Sequence, residues 1–159
     1  MSAKKKTWRE KLAESKDLPK VMPLRGKAEL KWGKGTLAIP APLEVDALMR
    51  SVPKRRVMTI DVMRSCIARK HGATMGCPLT TGIFAWLAAH AADEASTEGI
   101  KRITPYWRTL KSGGELNPKY PGGIKAQKIR LEMEGHKIKQ KGKRYLVIDY
   151  DKTLFHPSA

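Results

Sequence analysis

Two thiols, Cys66 and Cys77, and four histidines are the first side chains here to weigh as nucleophiles or metal ligands. Cys77 precedes Pro78 just ahead of an apolar helical stretch, where a helix N-terminus can lower a thiol's pKa and make it reactive. No histidine or lysine stands beside it in sequence to serve as its base, so the residues favour a small structural thiol in a turn. Cys66, His71, Cys77 and His90 make four potential metal ligands. Their spacings are not those of zinc motifs, and Cys66 and His90 fall within apolar helical patterns, so no metal is expected. Gly33-Lys34-Gly35-Thr36 looks like the end of a phosphate-binding loop, but the earlier glycine and the strand before it are missing. Nucleotide hydrolysis is excluded on that ground, and no cofactor is expected.

Charge is the other chemical resource. Across 159 residues, 32 Lys and Arg stand against 15 Asp and Glu, for a formal net charge of +17 and an isoelectric point near 10.1. Clustered cations gain free energy by releasing counterions from phosphates, so a polyanion, nucleic acid first, is the expected partner. The blander reading is that the charge keeps a small protein soluble. The longest apolar run, from Gly82 to Ala92, is shorter than the roughly 20 residues that cross a bilayer. Membrane binding is also disfavoured, because that apolar run carries almost no basic residues. The first residues, Met1 to Lys6, are positive with no apolar segment behind them, which reads as a cytoplasmic protein with free thiols.

These groups need elements to position them. Residues 1–35 hold 11 Lys or Arg and 4 acidic residues, broken by prolines and glycines. This is a basic arm, in which Thr7 and Glu10 have the spacing of a capping box, and Trp8 and Trp32 are large enough to dock it. Leu37 to Pro42 reads as an extended connector. Val45, Leu48, Met49 and Val52 mark one helical face, which Pro53 ends. Thr59 can cap a second helix carrying Met63, Cys66 and Ile67 and closing at His71-Gly72. Pro78 and Thr80-Thr81 then lead into a helix from about Gly82 to Glu94, apolar on nearly all sides and hence central. Ile103 to Leu110 reads as a short strand or turn, about Ile124 to Glu134 as a helix, and Tyr145 to Tyr150 as a strand. Basic clusters, Lys54-Arg55-Arg56 and Lys137, Lys139, Lys141, Lys143 and Arg144, flank this series. Three helices followed by strands and charge is the order of a winged helix-turn-helix.

From about Val57 to His136 the chain resembles the O6-alkylguanine-DNA alkyltransferases and their alkyltransferase-like relatives. Four motifs carry the resemblance in order: Pro105-Tyr106-Trp107-Arg108-Thr109, Ser112-Gly113-Gly114, Tyr120-Pro121-Gly122-Gly123 and Leu131-Glu132-Met133-Glu134-Gly135-His136. In the transferases the first reads Pro-Cys-His-Arg-Val. The nucleophilic cysteine and its histidine are therefore replaced by Tyr106 and Trp107, as alkyltransferase-like proteins replace the cysteine with Trp. Glu134 keeps the place of the family's glutamate and reads as structural. The family's intercalating arginine falls at Gly82, its phosphate-pressing tyrosine at Ile60, and a pocket serine at Pro121.

The resemblance implies a mostly α fold with a small β wing: a winged helix-turn-helix-like DNA-binding domain over 37–159, preceded by the basic arm over 1–36. It implies a non-enzymatic protein that binds duplex DNA and senses O6-alkylguanine for repair. The expected DNA contacts are Thr80, Thr81, Gly82, Arg108, Lys54, Arg55, Arg56, Lys137 and Lys139. The expected aromatic walls of a lesion pocket are Tyr106, Trp107 and Tyr120. Nucleotide-excision repair proteins are the implied further partners, and the protein is read as a cytoplasmic, nucleoid-associated monomer. An active cysteine methyltransferase using Cys77 and a basic RNA-binding protein are the alternatives.

Overall fold

A computed structural model describes residues 5–158; the first four residues of the basic arm lie outside that range. At its centre is a 20-residue helix, α5 (Pro78–Thr97), about 30 Å long. Six of its alanines, Ala85, Ala88, Ala89, Ala91, Ala92 and Ala95, are buried. Alanine is the best helix former and its short side chain lets neighbours approach closely. Three helices use that freedom: α1 (Trp8–Ala13), α3 (Pro42–Arg50) and α4 (Ile60–Lys70) all pack on α5. Met49, Met63, Ile67, Leu110, Leu116 and Leu131 fill the space between elements and are fully buried.

Helix α5 starts earlier than the expected Gly82. Pro78 occupies its first turn, where a missing N–H and a preset φ cost nothing. Thr80 and Thr81 are accordingly helical, and the Thr81 side chain is fully buried. Helix α4 holds the residues expected of it, with the Thr59 hydroxyl accepting from Val62 N–H at its start; α3 holds Val45, Leu48 and Met49 but ends at Arg50, so Val52 follows its C-cap Ser51 and is buried beyond the helix.

Small sheets tie the helices together. Strand β1 (Lys20–Pro23) pairs antiparallel with β2 (Thr36–Ile39), which pairs parallel with β4 (Met75–Gly76). The expected boundary at 36/37 thus falls inside β2, a strand bonded to the arm on one side and to the residues before α5 on the other. Gly76 permits the closeness, since a Cβ there would sit 2.5 Å from the Arg64 carbonyl oxygen. Short helix α2 (Lys27–Trp32) lies between β1 and β2.

The arm is docked at its start as well. The Thr7–Glu10 capping box is formed. Trp8 stacks on His90 with ring centres 4.6 Å apart and meets the edge of Trp86 at 5.0 Å. Glu94 accepts from the backbone N–H groups of Trp8 and Arg9 and from Arg9 Nε at 3.0 Å. Trp32, the other expected anchor, stays 42% exposed with Lys31 over its ring; β1 and β2 hold that part of the arm instead.

Beyond α5, Tyr106–Arg108 form a single 3-10 turn running into β5 (Thr109–Leu110), which pairs parallel with β3 (Met58–Thr59). Helix α6 (Gly123–Met133) begins at a glycine pair with φ of +77° and +68°, a left-handed region that side chains avoid. The basic C-terminal cluster forms a hairpin of β6 (Ile138–Lys141) and β7 (Arg144–Val147). The expected strand to Tyr150 stops at Val147, because Asp149 takes a φ of +55° and leads into a 3-10 turn at Tyr150–Thr153. The whole is a mixed α/β fold, helices around α5 with small sheets at the edges. Among the described residues, no helix is long and apolar enough to cross a membrane.

Candidate nucleic-acid interface

Parallel pairing of β3 with β5 decides the geometry of the site. Both strands run toward one end, where Ile60 follows β3 and Lys111 follows β5. There a cleft of about 690 Å³ opens between the first half of α5 and the loop of residues 110–120. Leu79, Gly82, Ile83 and Trp86 line it from α5. Their spacing of i, i+3, i+4 and i+7 puts them on one helical face, and Leu79 and Ile83 are 70% and 46% exposed. Opposite stand Lys111, Ser112, Glu115, Asn117, Lys119 and Tyr120. Nothing lies within 4 Å of where a Gly82 side chain would begin, so the helix surface is open there.

Tyr120 is buried, and burial pushes its hydroxyl far above the usual phenol range, against the pull of a hydrogen bond with Asn117. It remains a neutral phenol at any physiological pH, with a flat ring at the cleft wall. Tyr106 stands behind it, centroids 5.5 Å apart and edge to face, and Trp107 lies a further 5.4 Å on from Tyr106. Of the three aromatics expected to wall one pocket, Tyr120 alone faces the cleft. Tyr106 is core, and Trp107 faces away, because the 3-10 turn rotates successive side chains by about a third of a turn.

At the opposite end of the β3–β5 ladder, Arg108 is spent on structure. Its guanidinium donates to both Glu134 carboxylate oxygens at 2.8–3.2 Å and to the Val52 carbonyl at 2.8 Å. Trp107 donates its indole N–H to the same carboxylate at 3.0 Å, and Arg55 N–H at 3.4 Å. Burial opposes ionising Glu134, but these donors outweigh it and hold its carboxyl below the usual range. Arg56 donates to the carbonyls of Thr153 and Leu154 and lies over Phe155, clamping the C-terminal segment. The turn Lys54-Arg55-Arg56 and Arg108, expected on nucleic acid, therefore sit together and away from the cleft.

The other expected contacts divide. Gly82 is in the cleft, whereas the Thr80 and Thr81 hydroxyls are buried without partners and face no solvent phosphate. What the start of α5 offers is its first-turn N–H groups and the positive end of the helix dipole. Lys137 and Lys139 are exposed on the hairpin. That hairpin is stitched to the cleft loop: Leu116 N–H donates to the Tyr145 carbonyl at 2.8 Å, and Arg144 Nε lies 3.4 Å from Glu115. Cys77 caps α5, is buried and lies outside the cleft lining. The other candidate ligands are occupied elsewhere, His71 on Glu44 at 2.8 Å and His90 under Trp8, while Cys66 is core.

Sequence reasoning missed Leu79, Ile83, Lys111, Glu115 and Lys119. The α5 face was present in the 79, 82, 83, 86 spacing, masked by apolar residues on the other sides; the three loop residues carried no periodic signal.

No protein-family model matches the sequence, and no curated protein matches it. Two solved structures share the fold. One is Schizosaccharomyces pombe Atl1 in complex with damaged DNA containing O6-carboxymethylguanine, at 21% identity and a TM-score of 0.51. The other is S. pombe ATL in complex with DNA, at 22% identity and a TM-score of 0.52. Each alignment covers 73% of this chain and 94% of the other. The chain is similar in fold to S. pombe Atl1 over nearly all of that protein's length.

Proposed function

We propose that this protein binds duplex DNA without covalent chemistry, presenting the start of α5 to the groove and receiving an extruded base, O6-alkylguanine above all, in the adjoining cleft. One observation carries the reading: a cleft of about 690 Å³, with Tyr120 on one wall, opens directly against the exposed first turns of the central helix. That volume lies in the range of small-ligand sites. An extruded base is read by contacts on its face and by hydrogen bonds to its edges; the apolar face of α5 at Leu79, Ile83 and Trp86 supplies the first, and Asn117, Ser112 and Glu115 the second. The fold likeness to Atl1, whose structure is of a complex with damaged DNA, supports the same reading.

Leu79 and Ile83 take the part of an apolar wedge. Proteins that kink DNA through the minor groove often push Leu, Ile or Phe between base steps to fill the gap. Here these two residues flank Gly82, where the transferases of the resembled family carry an arginine. Ile60, in place of that family's tyrosine, lines the cleft as well. Lys111 and Lys119 on the rim, and Lys137 and Lys139 on a hairpin acting as the wing, hold the backbone. Tyr106 stands where the family has its cysteine, and the cleft lining holds no thiol, which supports sensing over transfer. Repair proteins as onward partners, a monomeric state and a cytoplasmic, nucleoid-bound location belong to the same proposal.

The test is a titration of matched duplexes with and without O6-methylguanine, with structured RNA of equal length as competitor. Preferential binding of the modified duplex supports the proposal. Equal affinity for both duplexes would remove lesion sensing, and tighter RNA binding would remove DNA as partner. Mass spectrometry after incubation with the modified duplex should find no methyl adduct; a stable adduct on Cys77 overturns the non-enzymatic reading.

A further inference from the structure

On the other side of the Tyr106–Trp107 turn from the cleft lies a second hollow of about 630 Å³, at the C-terminal end of α5. Four cations reach it, Arg50, Lys101, Arg108 and Arg130, with Trp107 at its base. Two are neutralised: Arg50 by Asp46 at 3.1 Å and Arg108 by Glu134 at 2.8 Å. Lys101 and Arg130 have no carboxylate within 4 Å among the described residues. Arg130 is also held in place, its guanidinium 4.2 Å from the Trp107 ring centre. Stacked on the ring and hydrogen-bonded to the Tyr106 hydroxyl, this guanidinium is ordered in advance and has further N–H groups to offer an oxyanion.

We infer that this hollow is a phosphate site, separate from the cleft and independent of its proposed role. Two unneutralised cations match a dianion rather than a single carboxylate, and guanidinium N–H pairs suit phosphate oxygens. Trp107 is 8% exposed and already covered by Arg130, so no base can stack there. The site takes the phosphate group and leaves the rest of its carrier outside. Gly82 and Ser96 are 14 residues apart on α5, about 21 Å along the axis, which places the hollow well away from a duplex seated at the helix start. Its ligand is inorganic phosphate or the terminal phosphate of a small ester.

Calorimetric titration of the whole protein in 150 mM chloride tests this, with inorganic phosphate and a nucleoside 5′-monophosphate as separate arms and a glutamate-rich peptide as a third. Saturable phosphate binding is expected with a Kd of about 1 mM or tighter, as two or three charge-assisted bonds provide. Equal affinity for the monophosphate means the phosphate alone is read, and tighter binding of the monophosphate identifies an ester as the carrier. Arg130→Gln and, independently, Lys101→Gln should each weaken it about tenfold while leaving affinity for an unphosphorylated duplex within about twofold. No saturation by about 10 mM phosphate, tighter binding of the peptide than of phosphate, or equal affinities in both variants and wild type, overturns the proposal.

Discussion

Arg108 and Glu134 form a buried pair, their side chains 13% and 7% exposed, closed by bonds from two guanidinium nitrogens to both carboxylate oxygens and by a third donor in Trp107. Removing one charge from such a pair leaves the other desolvated and unpaired, so Glu134→Gln should cost about 3 kcal/mol in urea unfolding. The same carboxylate sets an acid limit. Folded Glu134 holds its proton less tightly than the unfolded chain does, so its stabilisation is present above the usual glutamate pKa of 4.5 and is lost as pH falls below it. His136 adds an earlier step. Burial, aided by Arg108 and opposed by Glu134, pulls its pKa below 6.5. The unfolded chain therefore takes up a proton first, and stability begins to decline as pH drops through 6.5. Unfolding midpoints at pH 7.5, 5.5 and 3.5 should decrease in that order, and the fall below pH 4.5 should be smaller in Glu134→Gln. Tyr106 and Trp107 stood out in the sequence as the residues that the motif resemblance sets at the transferases' cysteine and histidine. Their orientation was not legible, since each step along the 3-10 turn swings the side chain by about a third of a turn and sends the two rings to different sides of the fold.

Helix α5 joins every function assigned to the molecule. Its first half walls the cleft, its middle carries the arm through His90 and Glu94, and its far end meets the basic hollow. Leu79→Ala with Ile83→Ala should leave unfolding nearly unchanged, both residues being well exposed, yet weaken duplex binding by about tenfold if they wedge the base stack. Loss of stability with unchanged DNA affinity would remove the wedge. At α1, Trp8→Ala deletes the stack on His90 and the edge contact with Trp86. A cost of about 2 kcal/mol is expected, below that of a fully buried tryptophan, measurable as a lower melting temperature. The Thr7 cap and the helical runs were readable because their signals are local, spanning three to seven residues. The three-stranded sheet was not: strands of four, four and two residues leave almost no alternation to detect, and β2 meets β4 across 38 positions of sequence.

At the scale of the whole molecule, the net charge of +17 resolves into groups with different duties. Arg9, Arg56 and Arg108 are tied into the fold, and some exposed arm charges are paired locally, Lys6 with Glu14 and Lys20 with Asp17. Lys111 and Lys119 stand at the cleft and Lys137 and Lys139 on the hairpin. Under the proposed function, Lys111→Gln with Lys119→Gln should shallow the log–log salt dependence of duplex binding by about 0.9 for each lost phosphate contact. Lys54→Gln, on the far end of the β3–β5 ladder, should leave that slope unchanged, and a change there would place the duplex differently. Composition by itself established an excess of cations, for which an anionic partner is the favoured reading and solubility the blander one, and the motifs by themselves gave a resemblance in which Tyr106 takes the place of a cysteine. Neither could say which cations are free. That was decided only by tertiary structure, because a guanidinium's availability depends on which carbonyls and carboxylates folding brings within 3 Å. Arg108 was the arginine singled out by the sequence and Arg130, 22 positions on, was not; in the fold Arg108 is locked to Glu134, while Arg130 lies over Trp107 with no carboxylate within 4 Å among the described residues.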